Sequence, residues 1–376
     1  MKSLKILNIL LLLAISLSFI TFLIKNISFY QPEFNLGKLE LLYSQSQFAQ
    51  NPDDRKQIIE DEDLYAYSGW KYLTTGKLDQ INIEHPPLGK YMIGFSILLF
   101  KNQNIGQIFW GIIFLVLFYK LALKTTKNIP LSLALILIFL QEKIFQEQLT
   151  HSLLDLSLAV FLLAFFLNLV SQNKESKINL ITQGLLLGII SSLKYPTIGF
   201  IAWLTMILYF FVKKEKNILK KILIPGLVAF FVFLFSYFPF FLKNPQPISF
   251  FNLQLEALKI HLSHVPEYPK GQVFKVLSFN RWLTWWGSEK YIKTVFWNFL
   301  WPVLSLNFLF SLIFFKKLFK KNLLVNFWSL NYLLFLSLRL FFPRYLFLLL
   351  PFLYLNLCYN GLYLYKAIQA GGERKR

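Results

Sequence analysis

Leucine, isoleucine, phenylalanine and valine occur along this chain in long runs, and the runs are separated by short clusters of lysine. Crossing the roughly 30 Å hydrocarbon layer of a bilayer takes about 17 to 25 apolar residues in a helix. Ten stretches approach that requirement, at approximately 6–24, 105–123, 129–141, 153–170, 179–193, 196–212, 222–242, 295–315, 323–340 and 345–365. The third and fifth are short and place Gln141 and Lys194 where protein must shield them. The pattern predicts an all-α, polytopic membrane protein, a single integral membrane domain over 1–376 with about ten transmembrane helices.

Composition agrees, since 56% hydrophobic and 15% charged residues do not fit an ordinary soluble fold. The single cysteine, Cys358, excludes an intramolecular disulfide framework and a Cys-based zinc cluster. A net charge of +20 in a soluble chain would point to nucleic acid, but its distribution gives another explanation. With a cytoplasmic N-terminus, the inner loops are those at Lys2 and Lys5, 120–127, 174–177, 213–221 and 316–321, with the tail from Lys366. They hold 20 of the 39 basic residues and 3 of the 19 acidic ones. Nearly all the excess charge therefore obeys the positive-inside rule, and no nucleic-acid partner is expected. The first run has a signal-like start but no small-residue cleavage site after it, so it reads as a retained span with both termini cytoplasmic.

Two segments on the opposite side are long enough to hold chemistry, 25–104 and 243–294. The second is rich in proline and aromatics (Pro245, Pro247, Pro266, Pro269, Trp282, Trp285, Trp286), which suits a loop lying at the lipid interface. The first contains Glu60-Asp61-Glu62-Asp63, then a helix-like stretch to Gly76, then Glu84-His85-Pro86-Pro87-Leu88-Gly89-Lys90. An acidic tetrapeptide alone reads as a solvated charge run. Here it is followed closely by His-Pro-Pro, whose prolines fix the backbone and hold His85 in a rigid turn at the mouth of the next apolar segment.

These residues resemble the first outer loop of the dolichyl-phosphate-mannose protein mannosyltransferases and their bacterial relatives. That family belongs to the GT-C superfamily of polyprenyl-phosphate-sugar-dependent glycosyltransferases, as do the lipid A aminoarabinose transferases. The resemblance extends to Asp155 in His151-Ser152-Leu153-Leu154-Asp155, to Gly184 and Gly188 followed by Ser192-Leu193-Lys194-Tyr195, to Trp285-Trp286-Gly287, and to Pro343-Arg344-Tyr345 with Pro351. The chain departs from the family in its acidic order: Asp61-Glu62 and Glu62-Asp63 both lie in range, and the choice of base stays open among the three.

The resemblance implies inverting transfer of a mannose-like sugar from a polyprenyl-phosphate carrier to a hydroxyl on a protein, lipid or glycan acceptor, at the outer face of the plasma membrane. It makes Asp61, Glu62 and Asp63 the candidate general bases. His85, Asp155, Lys194, Arg281, Arg344 and Tyr345 become the candidate substrate-binding residues. Residue chemistry is compatible, because adjacent acids in a partly buried cleft push one carboxyl toward working pH and an arginine fork suits a departing phosphate. No cofactor and no divalent metal are expected. Simpler roles compete at several positions: a structural ion pair of Asp155 with Lys143 or Lys194, a turn cap for His85, snorkelling for Lys194, and loop anchoring for Trp285 and Trp286. His261 and His264 could face Glu267 as metal ligands, but Pro266 interrupts the helix that would carry them. A transporter or a non-catalytic envelope-assembly protein are the competing classes.

Overall fold

A computed structural model describes residues 2–49, 51–171, 176–263, 269–284, 290–313 and 322–373. Helices α1 (Lys2–Lys25), α2 (Leu36–Ser44), α3 (Asp61–Thr75) and α4 (Leu88–Phe100) come first, with 3₁₀ turns at Ile27–Phe29 and Pro52–Asp54. The middle of the chain comprises α5 (Ile105–Thr126), α6 (Ile129–Leu140), α7 (Lys143–Thr150), α8 (Asp155–Ser171), α9 (Lys177–Leu193), α10 (Pro196–Lys213) and α11 (Ile218–Ser236). Three shorter elements follow, α12 (Phe238–Lys243), α13 (Pro247–Ser263) and α14 (Gln272–Phe279), and then an antiparallel ladder of β1 (Trp282–Leu283) with β2 (Tyr291–Ile292). The last spans are α15 (Leu300–Ile313), α16 (Leu323–Leu338) and, after a 3₁₀ turn at Pro343–Leu348, α17 (Leu350–Glu373).

Each apolar stretch of the sequence becomes a helix, but they are unequal in length. By length and composition, four of the described helices are able to cross a membrane: Leu4–Lys25, Ile105–Thr126, Pro196–Lys213 and Ile218–Ser236. The pair α6 and α7, bent by 67°, counts as a fifth. Leu88–Phe100, Asp155–Ser171, Lys177–Leu193, Leu300–Ile313 and Leu323–Leu338 are shorter, at 10–17 residues. On this criterion the structure gives four to five spans where the pattern predicts about ten. The difference is one of length, since α8, α9, α15 and α16 are apolar but stop at 17 residues or fewer.

The bundle is apolar outside as well as inside. Leu10, Leu13, Leu17 and Ile20 on α1 are each more than half exposed, which is the arrangement of a surface facing lipid rather than water. Close helix contacts rely on glycine. A Cβ on Gly184 would lie 2.5 Å from the Val228 side chain, and one on Gly188 equally close to Val232, so α9 and α11 pack in the small-residue manner of membrane helices. Several buried polar groups bond one another across helices. Asn307, Asn326, Asn356 and Asn360 bond one another between α15, α16 and α17. Where α6 breaks into α7, the Glu142 carboxylate accepts from Asn298 at 3.0 and 2.9 Å, from the Trp301 indole at 3.2 Å and from the Tyr354 hydroxyl.

At one end of the bundle, α2, α3, the start of α4, α12 and α13 share a second core that includes Tyr65, Tyr72, Ile93, Leu154, Tyr237 and Leu253. Helix α13 is two-faced: Ile248, Phe251, Leu255, Leu258 and Leu262, spaced three and four apart, are exposed, while Leu253 is buried. Such a stripe suits a helix lying in the lipid interface.

Candidate active site

Helix α3 begins at the acidic cluster, with Glu60 as its N-cap and Asp61, Glu62 and Asp63 forming its first turn. Negative charge is favourable there, against the unpaired N–H groups and the positive end of the helix dipole. Gly76 ends the helix at φ +63, a conformation that a side chain would resist. Consecutive helical residues point about 100° apart, so the three acids diverge. Asp61 is ion-paired with the Arg344 guanidinium. Glu62 faces His151, its Oε2 4.0 Å from Nε2. Asp63 is turned toward Gln103, whose amide donates to it at 3.5 Å. Burial raises the Glu62 carboxyl above the ordinary carboxylate range, Asp63 and Glu60 add to the shift, and His151 opposes it.

The helix is held in place by contact with α4. Cβ atoms added at Gly69 and Gly94 would lie 2.3 Å from the Lys90 carbonyl oxygen and 2.5 Å from the Gly69 carbonyl oxygen, so the two backbones touch. Lys90, fully buried, shapes the turn between them. Its ammonium donates to the carbonyl of Asn82, to that of His85 at 2.8 Å and to the Tyr72 hydroxyl at 3.2 Å. His85 is thereby fixed with 6% exposure and its ring edge-on to Tyr195 at 4.7 Å. Burial, followed by the nearby Lys90 and Lys194 charges, holds its imidazole well below the usual histidine range and therefore neutral. Its Nδ1 is buried without a hydrogen-bond partner among the described residues, as are the Tyr65 hydroxyl and Arg344 Nε.

A small cavity, with room for about one water molecule, is lined by Asp155, Lys194, Tyr195, Tyr332, Arg339 and Tyr345 together with apolar side chains. Lys194 donates to both Asp155 oxygens, at 2.9 and 2.8 Å, with both residues about 1% exposed. Of the two partners the sequence allows for Asp155, the fold selects Lys194. An ion pair so deeply buried contributes orientation more than stability, since desolvation offsets much of its attraction. The Lys194 ammonium also lies 5.0 Å from the Tyr345 ring centre. Arg339 stacks between Tyr195 and Phe335, at 5.1 and 5.0 Å, and has no acidic partner among the described residues.

The fold thus brings Asp61, Glu62, His85, Asp155, Lys194, Arg344 and Tyr345 to one end of the bundle. Arg281 is exposed after α14, and its neighbour Trp282 packs on Phe342, whose ring Arg344 covers. Trp285, Trp286, Gly287, His264, Pro266 and Glu267 lie outside the described residues, as do Lys174 and the 316–321 lysines. His261, on the inner face of α13, bonds the Glu84 carbonyl through Nε2 at 2.8 Å and approaches the Glu84 carboxylate at 3.5 Å.

Sequence reasoning missed two residues of the site. Arg339 closes α16 one turn before Pro343, and its signal was available: an arginine at the same end of a span as Arg344. Glu147 has an Oε2 that is buried and unpartnered, and it lies within electrostatic reach of Asp155, Lys194 and Glu62. It sits in a polar stretch (Gln146-Glu147-Gln148) whose inward direction depends on the bend after α6, which composition does not reveal.

Two crystal structures are similar in fold. ArnT from Cupriavidus metallidurans bound to undecaprenyl phosphate matches with a TM-score of 0.57 and 15% identity, over 94% of this chain and 63% of that one. The same protein in the apo state matches with a TM-score of 0.53 and 14% identity, over 83% of this chain and 59% of that one. The chain therefore spans about six-tenths of the length of those structures and shares their fold. No protein-family profile matches it, and no curated protein does.

Proposed function

We propose that this protein is a membrane glycosyltransferase that moves a sugar from a polyprenyl-phosphate carrier to an acceptor hydroxyl, with inversion and without a cofactor. The observation that carries the reading is the pairing of Asp61, in the acidic first turn of α3, with Arg344, 283 residues away and next in sequence to Tyr345, which lines a cavity together with Lys194 and Arg339. Carboxylates beside a hydroxyl act as general bases. Cations beside a phosphodiester stabilise its departure, and planar guanidinium groups match phosphate geometry well. The fold shared with a protein crystallised on undecaprenyl phosphate supports a polyprenyl phosphate as the carrier.

In this reaction the acceptor oxygen attacks the anomeric carbon opposite the phosphate. Its proton passes to a carboxylate of α3, and the carbon–oxygen bond to phosphate breaks, with the electron pair leaving on the phosphate. Arg344 and Arg339 receive that charge, while Lys194, already bound to Asp155, orients the cavity wall and Tyr345. His85 supplies a neutral, rigid edge. The divergence of the three acids favours Asp61 and Glu62 as the carboxylates that work in the cleft, since Asp63 is directed elsewhere. A mannose-like hexose or a pentose is the proposed sugar, on the resemblance of the first loop; a protein, lipid or cell-wall glycan supplies the hydroxyl. The site faces outward from the plasma membrane, opposite the lysine-rich loops.

The test is transfer or release of radiolabelled sugar from a panel of undecaprenyl-phosphate monosaccharides by the full chain in proteoliposomes. Asp61→Asn and Glu62→Gln are each expected to lower turnover by about 100-fold or more, whereas Asp63→Asn stays within a few-fold of wild type. Turnover that survives both of the first two changes would remove the acidic turn from the chemistry.

A further inference from the structure

Resting on the function just proposed, we infer that His151 carries the acceptor's proton out of the site, taking it from Glu62 and delivering it to water. Every turnover leaves a proton on the base, and a half-buried carboxyl needs a route to lose it. Asp61 is bound to Arg344, and Asp63 faces Gln103, whereas Glu62 faces an imidazole. The 4.0 Å between Glu62 Oε2 and His151 Nε2 is closed by a small rotation of the glutamate or spanned by one water.

The other ring nitrogen sets the tautomer. His151 Nδ1 lies 2.8 Å from Thr150 Oγ1 and 3.3 Å from the Glu147 carbonyl oxygen. A carbonyl only accepts, and the Thr150 hydroxyl directs its own proton to the helix carbonyls of Gln146 and Glu147, each at 3.2 Å. Both contacts therefore place the proton of neutral His151 on Nδ1 and leave the Nε2 lone pair toward Glu62. The side chain is 34% exposed, so the imidazolium is within reach of solvent, and the proton leaves from the Nε2 that received it. The charged group that faces it is Glu62 from α3; the 3₁₀ turn at Ile27–Phe29 contributes the Phe29 ring, 5.3 Å away. Once it has given up its proton, the Glu62 carboxylate stabilises the transient imidazolium. The acceptor proton moves from the hydroxyl to Glu62 Oε2, then to His151 Nε2, then to water, as the sugar–acceptor bond forms and the sugar–phosphate bond breaks. His151 acts through Glu62 and is a positioning and relay residue, not one that touches the sugar.

The experiment measures release of undecaprenyl phosphate by the full chain in proteoliposomes, using the same panel of undecaprenyl-phosphate monosaccharides in weakly buffered solution. His151→Ala is expected to lower turnover about 100-fold at neutral pH with little change in KM for the lipid donor, and added imidazole is expected to restore most of the loss. His151→Gln, which fills the same space but carries no proton at this pH, shows the loss without rescue. Wild-type turnover in His151→Gln, or a loss in His151→Ala that imidazole leaves untouched, overturns the relay while the glycosyltransferase reading stands. A folded wild-type protein that releases phosphate from none of the donors overturns both.

Discussion

As a proposed base, Glu62 has to reconcile burial with the need to take up a proton. Removal from water favours its protonated form, and the negative charge of Asp63 pushes in the same direction. Only the ionised carboxylate accepts a proton, so kcat/KM rises with pH along a limb displaced above the ordinary carboxylate range. Asp63→Asn removes one cause of the displacement and moves that limb to lower pH, whereas an unmoved limb would show that another group sets it. Folding stability has the matching sign: a carboxyl whose proton affinity is raised by folding favours the folded state at low pH and loses that contribution as pH rises through its folded pKa. His85 takes the opposite course. It is neutral by burial and serves as a shape, since its ring is enclosed by Tyr65, Tyr195 and His261.

At the level of elements, the decisive contact is between α3 and α4, where Gly69 and Gly94 let two backbones meet. Gly69→Ala would place a methyl against the Lys90 carbonyl, which has no room to yield because Lys90 anchors the neighbouring turn. Its expected cost is about 1 to 3 kcal/mol of stability, accompanied by a clear fall in turnover as the acidic turn shifts. Thermal unfolding in detergent alongside transfer activity measures both, and an unchanged melting temperature would mean that the helices part freely. Much of this was legible beforehand. The glycine stop at Gly76, the two prolines before Leu88 and the apolar runs mark α3, the turn and the spans through local chemistry. The acids, however, read as a cluster ahead of a helix and prove to be its first turn, because helix dipole and capping draw them in. Lys90 appeared as a motif letter, and its role as the clamp of that turn required the fold. Arg339 and Glu147 depend on which way a helix end points, a property set by packing between segments far apart in sequence.

For the whole molecule, the proposed function puts the lysine-rich loops and the site at opposite ends. Cys358 is the sole cysteine, so a Cys358→Ser background allows single-site labelling with an impermeant maleimide. Asp53→Cys and Lys293→Cys are expected to react from outside intact cells, and Lys127→Cys and Lys214→Cys only after permeabilisation; the reverse pattern would put the acidic turn in the cytosol. The contact between Asp61 and Arg344 ties an early helix to the last turn before α17 across most of the chain. It also means that the empty protein satisfies its own cation with its own acid. Under the proposed function, a lipid phosphate that takes the same guanidinium edge displaces Asp61, so loading of the carrier would itself liberate a carboxylate, and rejoining of the two side chains would help to expel the spent lipid. Bare undecaprenyl phosphate should consequently bind Asp61→Asn about tenfold more tightly than wild type in a direct titration, and equal affinity would mean that the two never compete. Such a protein resets itself after each cycle by closing its own latch.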